Sequence, residues 1–310
     1  QVVYPQFIRN INNRCSDNPI GFCKYPFMIS VETKRDLLMS STHHDQQAAQ
    51  SRLAMQSIFQ GTLPYFVMKV DRRNLVRQAM TYCESVNDAT LKMPLKIVFE
   101  GEEGIDEGGV KKEFFQLLTE QLFDVRFGMF SKCGEEGTRL WFNKDCNFNL
   151  DEYRLIGILI GLAVYNGIIL NIYLPKALYK KILNQPMKPE DLSSVDPALF
   201  NGLDALRKYE PVEDVENIFC LDHEVVWQDS LLGNIRRKEL IPNGAETPVT
   251  GDNRDLYVEA YTKWVLIESI APQFDAFING FRRVIDPSAM SMFLPLELEL
   301  LLTGYPHLDF

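Results

Sequence analysis

The stretch LIGILIGLAVYNGIILNIYL, Leu155 to Leu174, decides the fold. It carries no charge, has about the length of a membrane-spanning helix, and contains Gly157-xxx-Gly161, a spacing that lets helices approach closely. Read as a span, it makes this a membrane protein; read as a core helix, a large globular one. Asn166, Gly167 and Asn171 break the run into a helix and a tail. It is also the one such run in the chain, and a helix apolar all round within a large domain is a central core helix. The expectation is therefore a buried helix from Asp151 to Asn166, with no membrane span.

The rest of the chain fits that reading. It has 310 residues, enough for a substantial core, with 46% hydrophobic and 24% charged residues. A net charge of −10 argues against non-specific nucleic-acid binding, which needs clustered Lys and Arg, and favours a basic protein partner. Six scattered cysteines without a CxxC pair, and four histidines, supply no zinc pattern and read as reduced thiols inside a cell. The N-terminus has no signal-peptide pattern and reads as the cut end of a longer protein.

Outward from the apolar run, helical patterns are expected at 45–60, ending on Gly61, and at 74–86 after an Asp71 cap. Strands are expected at Tyr65–Val70 and Leu95–Gly101, and a hairpin from GMFSK and RLWFN around GEEGT. Further helices read at 175–185, PALFNGLDALRKY, from Asp252, APQFDAFINGFRRVI and LPLELELLLTG, with strands at IFCLDHEVV and RRKELI. Helix exceeds strand and the strands do not alternate regularly with helices. That predicts a mainly helical α+β fold. In the helix after Gly109, Val110, Phe114, Leu117, Leu118 and Leu122 are expected to share the buried face.

The segment FEGEEGIDEGGVKKEFFQLL, Phe99 to Leu118, is the strongest candidate for chemistry. It lacks the lysine of a phosphate loop, and its carboxylates would repel a phosphate. EF-hand spacing fails from Glu102, Glu103 and Asp106. A cation site from Glu102, Asp106 and Glu107, or an acid–base carboxylate pair, ranks below the simplest reading: glycines turn the chain sharply, and Asp106 and Glu107 complement the start of the next helix. No nucleophile elbow or dinucleotide fingerprint occurs. Cys220, in IFCLD, reads as a packing cysteine on a strand, with His223 on the opposite face.

FEGEEGIDEGGVKKEFFQLL, GMF…LWFN, LIGILIGLAVYNGIILNIYLP, TPVTGDNRDLYVEAYTKWVL and LELELLLTG…LDF, in this order, closely resemble the HECT ubiquitin ligases from about Leu63 to Phe310. The likeness is greatest to E6-associated-protein and HERC-like types. It implies a bilobal HECT domain of which this chain is the N-lobe. Residues 1–62 would be an N-terminal extension and first helix, 63–187 the large subdomain, 188–265 the small subdomain that binds a ubiquitin-conjugating enzyme, 266–303 the return to the large one, and 304–310 the hinge and the start of the C-lobe.

The family's hinge aligns with Gly304, Tyr305 and Pro306, and the C-lobe with its thioester-forming cysteine is absent from these residues. No catalytic residue, cofactor or metal is therefore assigned, and the chain alone should be inactive. The resemblance places the conjugating-enzyme groove at Leu199, Leu203, Leu206, Val215, Tyr257 and Tyr261. Asp204, Glu213, Asp214 and Glu216 would form an acidic rim, and Phe127 to Phe142 a second ubiquitin-binding surface. Its partners would be a conjugating enzyme, ubiquitin and, through other regions, protein substrates, in the cytoplasm or nucleus, with no nucleic acid. The rival expectation is a non-catalytic interaction scaffold with the same lobe.

Overall fold

A computed structural model describes residues 26–60, 65–102, 108–146, 148–229 and 233–304, with side chains in the first segment described through 51. In chain order the regular elements are α1 (Val31–Gln60), β1 (Phe66–Val70), α2 (Leu75–Ser85), α3 (Asp88–Leu91), β2 (Leu95–Phe99) and α4 (Gly109–Leu122). Then come β3 (Phe130–Cys133), β4 (Arg139–Phe142), α5 (Leu150–Tyr165), α6 (Lys176–Ile182), α7 (Pro197–Lys208), α8 (Val215–Phe219), β5 (Glu224–Gln228) and β6 (Ile235–Glu239). The last are α9 (Arg254–Lys263), a π-turn at Trp264–Glu268, α10 (Ala271–Val284), α11 (Pro287–Met290) and α12 (Pro295–Thr303). The fold is mainly helical α+β, with three two-stranded sheets among the described residues.

The chain divides into two compact units. The first comprises residues 1–122, 150–172 and 276–310. Its centre is α5, which buries twelve of its sixteen residues, and no helix among the described residues is long and apolar enough to cross a membrane. The helix ends at Tyr165, and Gly167 follows with φ of 66°, a left-handed turn that glycine adopts without strain. Residues 276–284 of α10 cross α5 at backbone contact: a Cβ on Gly157 would lie 1.9 Å from the Phe277 carbonyl oxygen, and one on Gly280 only 1.8 Å from that of Arg154. The small residues read in the apolar run thus serve a close crossing of two packed helices.

In the same unit β1 and β2 pair in parallel, Phe66 opposite Leu95 and Val70 opposite Phe99, each strand turning alternate residues inward. Asp71 accepts the Arg73 amide at 2.8 Å and caps a 3-10 turn that leads into α2. Lys34 of α1 is fully buried and bonds Glu297 of α12 at 2.5 Å, and the same carboxylate accepts the Leu294 amide at 2.8 Å.

Three expectations change here. The first helix starts at Val31, fourteen residues before Asp45, because its polar early turns bury Leu37, Leu38 and the paired Lys34. On α4 the buried face comprises Phe114, Phe115, Leu118, Thr119 and Leu122, whereas Val110 and Leu117 are half-buried. Thr119 is accommodated because its hydroxyl donates to the Phe115 carbonyl at 2.8 Å. The segment 218–223 is no strand: α8 continues through Phe219 and closes on Cys220, which is left-handed at φ 47°. Cys220 is exposed, not a packing cysteine, and β5 begins only at Glu224.

The acidic turn lies largely outside the described residues, Asp106 and Glu107 included, as does the Gly61 cap. At its near edge Glu102 accepts two bonds from Arg72, at 2.5 and 3.0 Å, and Arg72 also reaches Glu113 at 2.7 Å. Arg72 holds the Glu102 carboxyl below its ordinary value. Among the described residues no group of three His, Cys, Asp or Glu side chains is placed to hold a metal ion.

Candidate functional site: a recess at the ends of two helices

The second unit comprises residues 123–149 and 173–275, and its surface is organised around α7 and α9, which pack together. Both helices are fixed at their ends by polar contacts. Asp196 accepts the Leu199 amide at 2.9 Å and Pro197 opens α7, a start that suits proline because the first helical amide has no partner to lose. Arg207, in the last turn of α7, bonds Asp255 in the first turn of α9 at 2.9 Å, and Arg254 donates to the Tyr209 carbonyl at 2.6 Å.

The six residues placed in the groove by family likeness fall into two groups. Leu203, Leu206, Val215 and Tyr257 are buried within the unit, Val215 completely. Leu199 and Tyr261 are half-buried and line one recess of about 260 Å³, together with Asp196, Trp264, Val265 and Ile270. The i, i+4, i+7 leucine stripe on α7 is real, but only its N-terminal member faces the recess. Of the acidic rim, Asp204 is paired with Lys208 at 2.7 Å, and Glu213, Asp214 and Glu216 are exposed.

Tyr257 and Tyr261 belong to a longer aromatic chain. His223 meets Tyr257 edge-on at 5.5 Å, Tyr257 meets Tyr261 at 5.7 Å, Tyr261 meets Trp264 at 6.1 Å, and Trp264 meets Trp227 of β5 at 5.0 Å. Trp227 donates its indole N–H to Asp145 at 2.9 Å, and Lys144 lies over its ring. Such edge-on and tilted contacts add to area burial and hold each ring in one orientation. Burial raises the Tyr257 phenol far above its usual range. The Tyr261 phenol is raised by burial and by Asp196. Both present neutral hydroxyls, and the recess sets the rings of Tyr261 and Trp264 beside polar groups, Lys132, Asn143, Lys144 and Asp196 among them. The π-turn at Trp264–Glu268, closed by the Ser269 amide on the Trp264 carbonyl at 2.9 Å, carries Trp264 and Val265 into its lining.

Trp264 was legible in principle, standing three residues after Tyr261 and seven after Tyr257 on one helical stripe. Trp227 and His223 come from β5 and the loop before it, and no local spacing announces them. Exposed Ile218 and Leu256, 59% and 51% accessible, are two further apolar surface residues that sequence reasoning passed over.

A family model described as HECT-domain (ubiquitin-transferase) matches residues 116–310. This chain belongs to the HECT-domain family. The match takes in the whole of the second unit. Similar curated proteins include the probable E3 ubiquitin-protein ligase HERC4 of Mus musculus, 34% identical over 301 residues, 95% of this chain and 28% of that protein. The probable E3 ubiquitin-protein ligase HERC3 of Homo sapiens is 36% identical over 293 residues, 92% of this chain and 28% of its own length. The probable E3 ubiquitin-protein ligase HECTD2 of Mus musculus is 36% identical over 308 residues, 93% and 39% respectively. The chain thus spans roughly a third of the HECT proteins it resembles, and HERC-type members are among them.

The other site expectation, the hinge, falls at the end of α12. Gly304 has φ 74° and ψ −176°, a combination open essentially to glycine alone. Tyr305 and Pro306 lie outside the described residues.

Proposed function

We propose that these residues are the N-lobe of a HECT-type ubiquitin-protein ligase and that the small subdomain, 188–265, recruits a ubiquitin-charged conjugating enzyme. Ubiquitin would then pass to a C-lobe cysteine outside this sequence, and from it to a substrate lysine. The family match over residues 116–310 carries this reading. The recess supports it: a few aliphatic and aromatic anchors in a pocket supply most of the energy of a protein interface. Leu199 and Tyr261 are the accessible anchors, and Leu203, Leu206, Val215 and Tyr257 are the packing that positions them. Asp214 and Glu216 would add attraction for a basic partner, acting more on association rate than on affinity. Residues 304–306 would be the hinge. Residues 127–142, in which Phe127 is exposed, would be the second surface for ubiquitin, a reading that rests on the family alone.

None of the six cysteines is assigned as the acceptor. Desolvation pushes the thiols of Cys83 and Cys133 up to about 12 and about 11, opposite to what a nucleophilic thiolate needs. The chain alone should form no thiol-reducible ubiquitin adduct. Nothing in the structure favours the rival scaffold reading.

The test is calorimetric titration of the 310-residue chain with a panel of ubiquitin-conjugating enzymes. Leu199→Asp and Tyr261→Ala are the informative variants, since Leu203 and Tyr257 are buried and their loss would confound folding with binding. We expect micromolar-range affinity for at least one enzyme, reduced about tenfold or more in both variants, with circular dichroism unchanged. A folded wild-type chain that binds no member of the panel refutes the recruiting role.

A further inference from the structure

The hairpin β5–β6 ends in a strand that no described residue covers. All five residues of β6, Ile235-Arg236-Arg237-Lys238-Glu239, are exposed, and among the described residues β6 pairs only with β5. Its hydrogen-bonding direction follows from the register. The Leu240 amide donates to the His223 carbonyl at 2.8 Å, and the Asp229 amide to that of Asn234 at 2.9 Å. In an antiparallel ladder bonded pairs recur at every second residue, so Arg236 and Lys238 turn their backbone groups to β5. Ile235, Arg237 and Glu239 turn theirs outward, a row of amides and carbonyls unpaired among the described residues. An open groove of about 500 Å³ runs along this edge from Arg237 to Pro242.

The side chains state what would fit. Ile235 is 72% exposed and Val226, diagonal to it on the same face, 48%. Arg236 and Arg237 reach outward from the pairs they make with Asp229, at 3.2 Å, and Glu224, at 2.7 Å. Both acids sit near or on the inner strand with little exposure, while the cations stay half exposed or more. Lys238 has no ion pair among the described residues. β6 itself carries three cations against the single carboxylate of Glu239, a locally basic strand in a chain of net charge −10. A second copy is a poor occupant. Antiparallel pairing of β6 with itself about Arg237 would set arginine against arginine, as basic edge strands do to block self-association.

We infer that the free edge of β6 is a docking site for an extended segment of a partner protein in which acidic and aliphatic residues alternate. The segment adds as a third strand: its backbone pairs with Ile235, Arg237 and Glu239, its carboxylates, all on one face, meet Arg236 and Lys238, and its aliphatic side chains, on the other face, lie against Ile235 and the stem of Arg237. This site is independent of the recruiting recess.

The probe is a fluorescein-labelled synthetic peptide of alternating Glu and Val, titrated into the 310-residue chain and followed by anisotropy. Lys238→Glu, which orphans no ion partner, should weaken binding about tenfold, since like charges in an interface are strongly unfavourable. The same peptide N-methylated at alternate residues, unable to complete the ladder, should also lose about tenfold. Amide exchange at Ile235, Arg237 and Glu239 should slow on binding. Titration of conjugating enzyme into Lys238→Glu should be unchanged, which separates this site from the recess. Equal binding of the N-methylated peptide, tighter binding of poly-uridine, or no binding of the Glu–Val peptide to the folded chain would each overturn the inference.

Discussion

Replacing Gly157 by alanine tests the helix crossing on which the first unit is built. The added Cβ would lie 1.9 Å from the Phe277 carbonyl oxygen and 2.9 Å from the Phe281 amide nitrogen, where ordinary contact begins at 3.4 Å. Both neighbours are backbone, so no side-chain rotation relieves the overlap. The helices must part by roughly 1.5 Å, the difference between 3.4 and 1.9 Å, in an interior packed as tightly as an organic crystal. Overpacking costs about 1–3 kcal/mol where side chains can adjust. Here they cannot, and the fully buried neighbours Ile156, Ile158 and Leu159 lose contacts as the helices separate. Against this, alanine gains about 1 kcal/mol of helix propensity over glycine. We expect a net loss of about 2 kcal/mol or more. Because two compact units can unfold separately, the assay is amide exchange along α5, which should accelerate roughly thirtyfold. Gly202→Ala on α7 is the control: nothing lies within 4 Å of its Cβ, so propensity alone acts and the second unit should gain about 0.5–1 kcal/mol. Gly157→Ala exchange within about twofold of wild type would refute the reasoning.

Other outcomes follow from buried polar groups. Lys34→Met strips the buried partner from Glu297 and should cost about 3 kcal/mol in urea unfolding. Lys34→Met with Glu297→Gln, which keeps an acceptor for the Leu294 amide, should recover most of that. Alkylation near neutral pH should label exposed Cys220 well before Cys83, which is buried and whose thiol is pushed up to about 12; mass mapping of the first adduct checks this. For stability the sign is set by the same shift. Above the ordinary value of 9.0 the unfolded thiol ionises while the folded one keeps its proton until about 12, so the unfolded state binds fewer protons. Stability should fall with rising pH across that window, and the slope should be shallower in Cys83→Ala.

Two of the three readings that changed in the fold share a cause. Residues 218–223 alternate in polarity well enough to pass for a strand, but Val215 packs into the unit and carries its helix on to a left-handed Cys220. On α4 the apolar stripe was drawn from helical periodicity, and its neighbours rotated it toward Phe115 and Thr119. Local pattern predicts that a face is buried, and packing decides where the face is centred.

The sequence by itself determined the order and type of most elements, the core status of the helical part of the apolar run through Tyr165, the glycine spacing that permits a close crossing, and the HECT kinship. These follow from short-range periodicity, turn residues and ordered motifs, which one strand of text records in full. Only the tertiary structure decided that β1 and β2 pair in parallel and that Lys34 finds Glu297 across 263 positions. It also decided which of six candidate anchors remain accessible, that Trp227 and His223 join the tyrosines, and that β6 leaves one edge free. Each of these depends on what lies against a residue in space, and burial and partnership are properties of a pair.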